Sequence, residues 1–241
     1  MWNLQNQKFF NFQAIKGKDQ NWHTNTVSCV QGVIYKEAEF LICGSYDGNI
    51  SLWDISKKST TQTSMINSSI FPTLRAMIYN YVPNKSDILG NEIHCIFFNE
   101  KQGHIFVGGN PIDINIWNLD GEKIATLEGM HSDSITCMAM EENFLFSGSD
   151  DTTIVMWNLI TYQHVGVLKG HKASIQDMLL FDNGLLFSWA YDKKINVWKY
   201  HTEEVIETFE RNEEFRCLDC IKSYGLLLAG KFIILSIKQY S

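Results

Sequence analysis

Serine, histidine and aspartate recur together along this chain, and these are the residue types of a hydrolase triad. One set is His131, Ser147 and Asp151, and a second is His171, Ser188 and Asp192. A third, His23, Cys43 and Asp47, carries cysteine in the serine place. An imidazole beside a hydroxyl or thiol can take its proton, and a carboxylate can hold that imidazole in the needed tautomer. The spacing argues for another use. Each set runs on, at the same interval, into a tryptophan: Trp157, Trp198 and Trp53. A catalytic site needs one copy with an exposed nucleophile, and no G-x-S-x-G elbow is present. A structural hydrogen-bond chain can be used once per repeat, because every buried indole N–H needs an acceptor.

The other reactive residues have simpler places. Cys29, Cys95, Cys137 and Cys217 each occupy the third position of a short apolar segment, where a small, weakly polar side chain packs well. Only Cys217 and Cys220 have the spacing of a metal half-site, and no second half follows. Neither a metal nor a cofactor is expected.

The elements that position these residues come from a repeat. Four segments run from an apolar strand ending in small residues, through a turn, into a strand closing on tryptophan: 40–53, 105–117, 144–157 and 185–198. The tryptophans are spaced 117−53 = 64, 157−117 = 40 and 198−157 = 41. A short strand precedes each hairpin, starting at Val27, Ile93, Ile135 and Ile175. Outer strands such as Lys123–Leu127, Val165–Leu168 and Val205–Phe209 follow. A fifth copy, from Phe215, lacks the closing tryptophan. Each unit thus offers four short strands divided by Gly, Asn and Asp turns. One such sheet cannot bury both faces, so the units must stack.

This organisation resembles the WD-repeat (WD40-type) β-propeller family. The resemblance rests on the His-Ser-Asp-Trp sets of the third and fourth units, and the first unit follows with cysteine. It implies an all-β propeller of four-stranded antiparallel blades, about five in number. The sets His131, Ser147, Asp151, Trp157 and His171, Ser188, Asp192, Trp198 become structural tetrads, as does His23, Cys43, Asp47, Trp53. Two units depart from the pattern. Val107, Pro111 and Leu89 replace Ser, Asp and His in the second, while Arg211 and Ala229 replace His and Ser in the last.

The reading treats 1–241 as a single propeller: an outer strand within 1–15, a blade at 23–66, an insertion at 67–92, a degenerate blade at 93–127, blades at 131–168 and 171–209, and an incomplete blade at 215–241. Within the insertion Ile70, Leu74, Met77, Ile78 and Tyr81 recur at helical spacing, with Pro72 near the start and Pro83 just beyond, which predicts a short amphipathic helix. In this family one end of the chain commonly completes the blade made by the other, so strand 9–15 is expected to complete the blade at 215–237. Two readings stay open, a small ring and a chain that starts partway through a blade.

Composition narrows the function. The 241 residues are 45% hydrophobic, carry a formal charge of −7, and have no apolar run of membrane-spanning length. No basic patch for nucleic acid or a membrane surface stands out. The first residues have neither the basic nor the apolar region of a signal peptide. An intracellular, cytoplasmic protein is expected, with a cytoskeletal or ciliary setting among the options. The family resemblance places the residue before the turn Asp on the narrow top surface, which nominates Tyr46, Asp150 and Tyr191, with Trp189 nearby, as a partner-binding surface. The expected function is a non-catalytic scaffold for other proteins or peptides within a cytoskeletal, ubiquitin-ligase or signalling assembly. The alternative is the regulatory propeller of a larger protein such as a kinase, and an enzyme site in the channel ranks below both.

Overall fold

Alternation of apolar and polar side chains over short segments selects strands, and turns at Gly, Asp and Asn fold each strand back on the last. The computed structural model describes residues 23–55, 73–79, 91–110, 112–181, 184–210, 218–221, 226–229 and 233–236. Among them every regular element is a strand, and the strands form sheets in chain order. The first sheet holds β1 (Val27–Tyr35), β2 (Ala38–Ser45), β3 (Asn49–Asp54) and β4 (Thr73–Tyr79). The second holds β5 (Ile93–Asn99), β6 (His104–Gly109), β7 (Ile114–Asn118) and β8 (Lys123–Leu127). The third holds β9 (Ile135–Glu141), β10 (Phe144–Ser149), β11 (Thr153–Asn158) and β12 (Gln163–Lys169). The fourth holds β13 (Ile175–Phe181), β14 (Leu185–Ala190), β15 (Lys194–Lys199) and β16 (Glu204–Glu210). A last sheet pairs β17 (Leu218–Ile221), β18 (Leu226–Ala229) and β19 (Ile233–Ser236). All pairings among the described residues are antiparallel, and the fold is an all-β propeller with four four-stranded blades and a last sheet of three described strands.

Each blade is hydrophobic on both faces, and the core lies between consecutive blades. Ile42, Ile50, Leu52 and Phe98 pack between the first and second, while Phe106, Ile116, Ile135 and Leu145 pack between the second and third. Phe146, Met156, Ile175, Leu186 and Trp198 fill the next layer. Contact between blades is close because glycine stands at the meeting point. A Cβ on Gly44, Gly108 or Gly148 would lie 2.7 Å from the side chain of Ile93, Ile135 or Ile175 on the following blade.

The outermost strand of each four-stranded sheet is bulged where it pairs with the tryptophan strand, at Trp53, Trp117, Trp157 and Trp198. A bulge twists an edge strand and blunts it against pairing with other chains.

One expectation is overturned here. The helix predicted across 70–81 does not form, because Thr73–Tyr79 is strand β4, the outer strand of the first blade. Ile78 is buried against the first blade, with Ile50 as its register partner. The segment read as an insertion therefore supplies the strand that the first unit lacked. The expected strand at 9–15 lies outside the described residues, as do Leu89, Pro111, Arg211 and Cys217.

Candidate functional site

The three hydrogen-bond sets lie on equivalent elements, with the histidine ahead of the inner strand, the aspartate in the turn between second and third strands, and the tryptophan in the third. In the third blade His131 Nδ1 lies 2.8 Å from Asp151 Oδ2 and Nε2 lies 2.8 Å from Ser147 Oγ. Trp157 Nε1 donates to the same Ser147 Oγ at 2.8 Å. The protonation that satisfies every atom has Nδ1–H donating to the carboxylate and the serine hydroxyl donating to Nε2. The fourth blade repeats this, with His171 to Asp192 at 3.0 Å, His171 to Ser188 at 2.8 Å and Trp198 to Ser188 at 2.8 Å.

The first blade departs from the expected set. The hydroxyl between His23 and Trp53 comes from Ser51, not from Cys43. His23 Nε2 is 2.8 Å from Ser51 Oγ, and Trp53 Nε1 donates to it at 2.9 Å. Cys43 and Ser51 face each other across the β2–β3 ladder, so serine has moved to the neighbouring strand. His23 still meets Asp47, Nδ1 to Oδ2, at 3.1 Å.

Each aspartate also caps the turn that carries it. Asp151 accepts from the Ser132 N–H at 3.0 Å, the Thr153 N–H at 2.9 Å and the Thr153 hydroxyl at 2.6 Å. Burial opposes the charge, but the hydrogen bonds from His131, Thr153 and Ser132 outweigh it and hold this carboxyl well below the usual range. Thr152 and Lys193 adopt φ of 74° and 64° where the first blade has Gly48 at 80°. The capped turn holds a β-branched residue in a region that favours glycine.

These groups are spent on structure. Ser147 and Ser188 are fully buried at 0% exposure, so neither hydroxyl can meet a substrate. Burial pushes the Cys43 thiol up to about 11, which leaves it protonated near neutrality. Cys137 is raised by burial too. No group of three or more metal-binding side chains exists among the described residues, and no helix there is long and apolar enough to cross a membrane.

The second blade pairs Val107 with Asn115 at the cross-strand position where each of the other three four-stranded blades carries one serine, and the Asn115 carboxamide accepts from Thr126 at 3.3 Å. It packs through Phe106, Ile114, Ile116 and Leu127.

Tyr46, Asp150 and Tyr191 occupy one equivalent turn position. Their backbone N–H groups donate to Thr26, Ser134 and Ser174 at 2.9, 2.9 and 3.0 Å. Asn110 is the fourth member, bonded to Glu92 at 2.9 Å, and was missed because its turn lacks the aspartate that marks the others. Three of the four reach the next blade. Tyr46 meets the ring of His94 edge-on with centroids 5.7 Å apart, Asn110 accepts from Ser134 Oγ at 2.9 Å, and Asp150 accepts from Ser174 Oγ. Tyr191 is the most open at 58% exposure, with Tyr46 at 39%. Trp189 is not on the surface, being only 5% exposed, and it supports Tyr191 from below at 6.1 Å between centroids.

Two segments, 18–54 and 121–158, match the family model described as WD domain, G-beta repeat. These segments are WD40 repeats, and they stand on a WD40-type propeller fold. The WD40 β-propeller domain of Doa1 superposes with a TM-score of 0.65 at 21% identity, covering 86% of this chain and 62% of that one. The computationally designed Ika8 protein superposes with a TM-score of 0.68 at 19% identity, covering 88% and 57%. Human apoptotic protease-activating factor 1 is 23% identical over 209 residues, 79% of this chain and 16% of its own length. Cell division control protein 4 of Saccharomyces cerevisiae is 29% identical over 98 residues, 40% and 13% of the two chains. Cilia- and flagella-associated protein 337 B of Tetrahymena thermophila is 30% identical over 122 residues, 48% and 10%. The chain thus spans under a fifth of the length of each of these three relatives.

Proposed function

We propose that this chain is a non-catalytic scaffold that holds other proteins or peptides on the face lined by Tyr46, Asp150 and Tyr191. The observation that carries the reading is the pair of exposed tyrosines, on turns braced by the buried hydrogen-bond chains beneath them. Tyrosine brings large contact area and a polar tip at low entropic cost, which suits a binding hot spot. The aspartate-capped turns hold these side chains in place before any partner arrives, which lowers the cost of association. The three Ser-His-Asp sets, the first through Ser51, are consumed in holding strands together, so they leave no nucleophile for a hydrolytic role.

The relatives' names, which speak of cell division control, an apoptotic protease and cilia, support a setting for this role. A cytoplasmic assembly, ciliary, cytoskeletal, ubiquitin-ligase or signalling, fits them. A second reading, the regulatory propeller of a larger multidomain protein, is favoured by the much greater length of those relatives.

The test is cross-linking mass spectrometry in cells to identify partners, followed by calorimetry with the wild type and the double variant Tyr46→Ala/Tyr191→Ala. The expected result is at least about a tenfold loss of affinity, as for removal of aromatic hot spots, with unchanged thermal stability. Unchanged affinity in the folded double variant would sink the assignment of this face.

A further inference from the structure

The turn face carries its acidic groups in one connected arc. It starts at Tyr46, whose ring meets His94 of the second blade edge-on. His94 Nε2 lies 3.5 Å from Glu92 Oε2, and the same carboxylate oxygen accepts from the Asn110 carboxamide at 3.1 Å. Asn110 accepts from Ser134 Oγ at 2.9 Å, and Asp133 accepts from the Ser134 N–H at 2.8 Å. The Asp150 N–H donates to the Ser134 carbonyl at 2.9 Å, and the Asp150 carboxylate accepts from Ser174 Oγ. The arc ends where the Tyr191 N–H donates to the Ser174 carbonyl at 3.0 Å. The carboxylates of Glu92, Asp133 and Asp150 thus lie between the two exposed tyrosines, and no lysine or arginine is among the residues that link them. The Glu92 side chain is 40% exposed and Asp133 is exposed. Lys172 and Lys193, beside His171 and Asp192, mark the end of the acidic stretch.

We infer that the partner segment this face takes is cationic, with lysine or arginine side chains set against Glu92, Asp133 and Asp150. The inference rests on the proposed partner face and names what occupies it. Neutral amide and hydroxyl groups fix Asp133 and Asp150 without cancelling their charge. A carboxylate has about four acceptor sites, so each keeps room for a cation. Like charges gathered on one face repel, and an incoming ammonium or guanidinium relieves that repulsion while it makes charge-assisted hydrogen bonds. Tyr46 stands at the acidic end, where its ring takes the stem or the head of such a side chain. The two lysines near Tyr191 set the direction, because they repel a second cation. The partner's positive residues therefore belong on the second and third blades, and its neutral or apolar part on Tyr191. An acidic segment would meet like charge along most of the arc, and a neutral one would leave the carboxylates uncompensated.

Selection of a displayed random linear peptide library on the full chain, followed by calorimetry with the strongest synthetic peptide, tests it. The selected peptides are expected to be enriched in lysine and arginine and to bind more weakly as salt rises. Glu92→Gln/Asp133→Asn/Asp150→Asn should lose at least about tenfold in affinity, as for three exposed ion pairs removed together. Glu37→Gln/Glu100→Gln/Glu204→Gln changes the net charge equally, at exposed residues at the opposite ends of the strands, and should bind within about twofold of the wild type. If the first triple variant unfolds, Asp133→Asn alone, at an exposed side chain outside the tetrads, should lose about two- to fivefold. Peptides without cationic enrichment that still need Tyr46 and Tyr191 overturn the inference and leave the partner face standing. Equal weakening by both triple variants overturns it too, since overall charge and not the arc would then attract the peptide. A library that yields no binder, or cationic peptides indifferent to Tyr46→Ala/Tyr191→Ala and to the arc's carboxylates, would sink this inference and the partner face together.

Discussion

A hydroxyl that moves one strand sideways leaves the first blade's chain intact, because cross-strand partners lie only about 5 Å apart. Ser51 meets both His23 and Trp53, while Cys43 has become a packed thiol. Ser51→Ala should leave an imidazole nitrogen and an indole N–H without their shared partner, at a cost of about 1–3 kcal/mol. Cys43→Ala keeps every one of those bonds and should cost less. Urea titration of both variants gives the comparison, and a silent Ser51→Ala beside a costly Cys43→Ala would return the bridging role to the thiol. The tetrads of the third and fourth blades were legible because their serines sit in phase with the tryptophan. The first was misassigned because position along the chain stood in for position in space. A signal was present: Ser51 lies two residues before Trp53, and alternate residues of a strand share a face.

The misread helix shows the same limit at the scale of an element. Leu74 and Ile78 are four apart, which suits one face of a helix, but the bulge at Trp53 pairs Leu74 with Trp53 and Ile78 with Ile50, three residues apart on β3. The register decides, since β4 pairs along β3 and completes the first sheet. Apart from β4, strand number and order were readable from turn residues and tryptophan spacing. The contacts between blades were not, because nothing in a single repeat says which glycine faces which isoleucine. Those contacts make a prediction of opposite signs. A Cβ at Gly148 would sit 2.7 Å from Ile175 and 2.8 Å from the Cys137 sulfur, so Gly148→Ala must push two blades apart. Overpacking of this kind costs about 1–3 kcal/mol. Gly32 has nothing within 4 Å of the added carbon, so Gly32→Ala should be neutral or stabilise by a few tenths of a kcal/mol through the unfolded chain. Thermal unfolding at low concentration separates the two, and equal losses would mean that blade contact does not control stability here.

Across the whole molecule the buried chains give folding a common response to acid. His171 is held below its ordinary value by burial, against the pull of Asp192. Asp151 and Asp47 are also held low, their hydrogen bonds outweighing burial. A group whose pKa is lower in the folded state takes up protons more readily when the chain unfolds, so acid favours unfolding. The His171 contribution is complete above about pH 6.5 and fades as pH falls toward its folded value, and the aspartate contributions fade below about pH 4. The net charge of −7 works in the other direction, because acidification relieves repulsion among surface carboxylates. Exposed charges are screened and count for about 1 kcal/mol or less per pair, whereas the side chains of the His171–Asp192 pair are 0% and 7% exposed. The buried groups should therefore prevail. Thermal unfolding from pH 8 to pH 3 should show the midpoint falling in two steps, and Asp151→Asn should shrink the second step while leaving the first. A midpoint that rises between about pH 7 and pH 5 would show that surface repulsion outweighs the buried hydrogen-bond chains in setting the propeller's pH response.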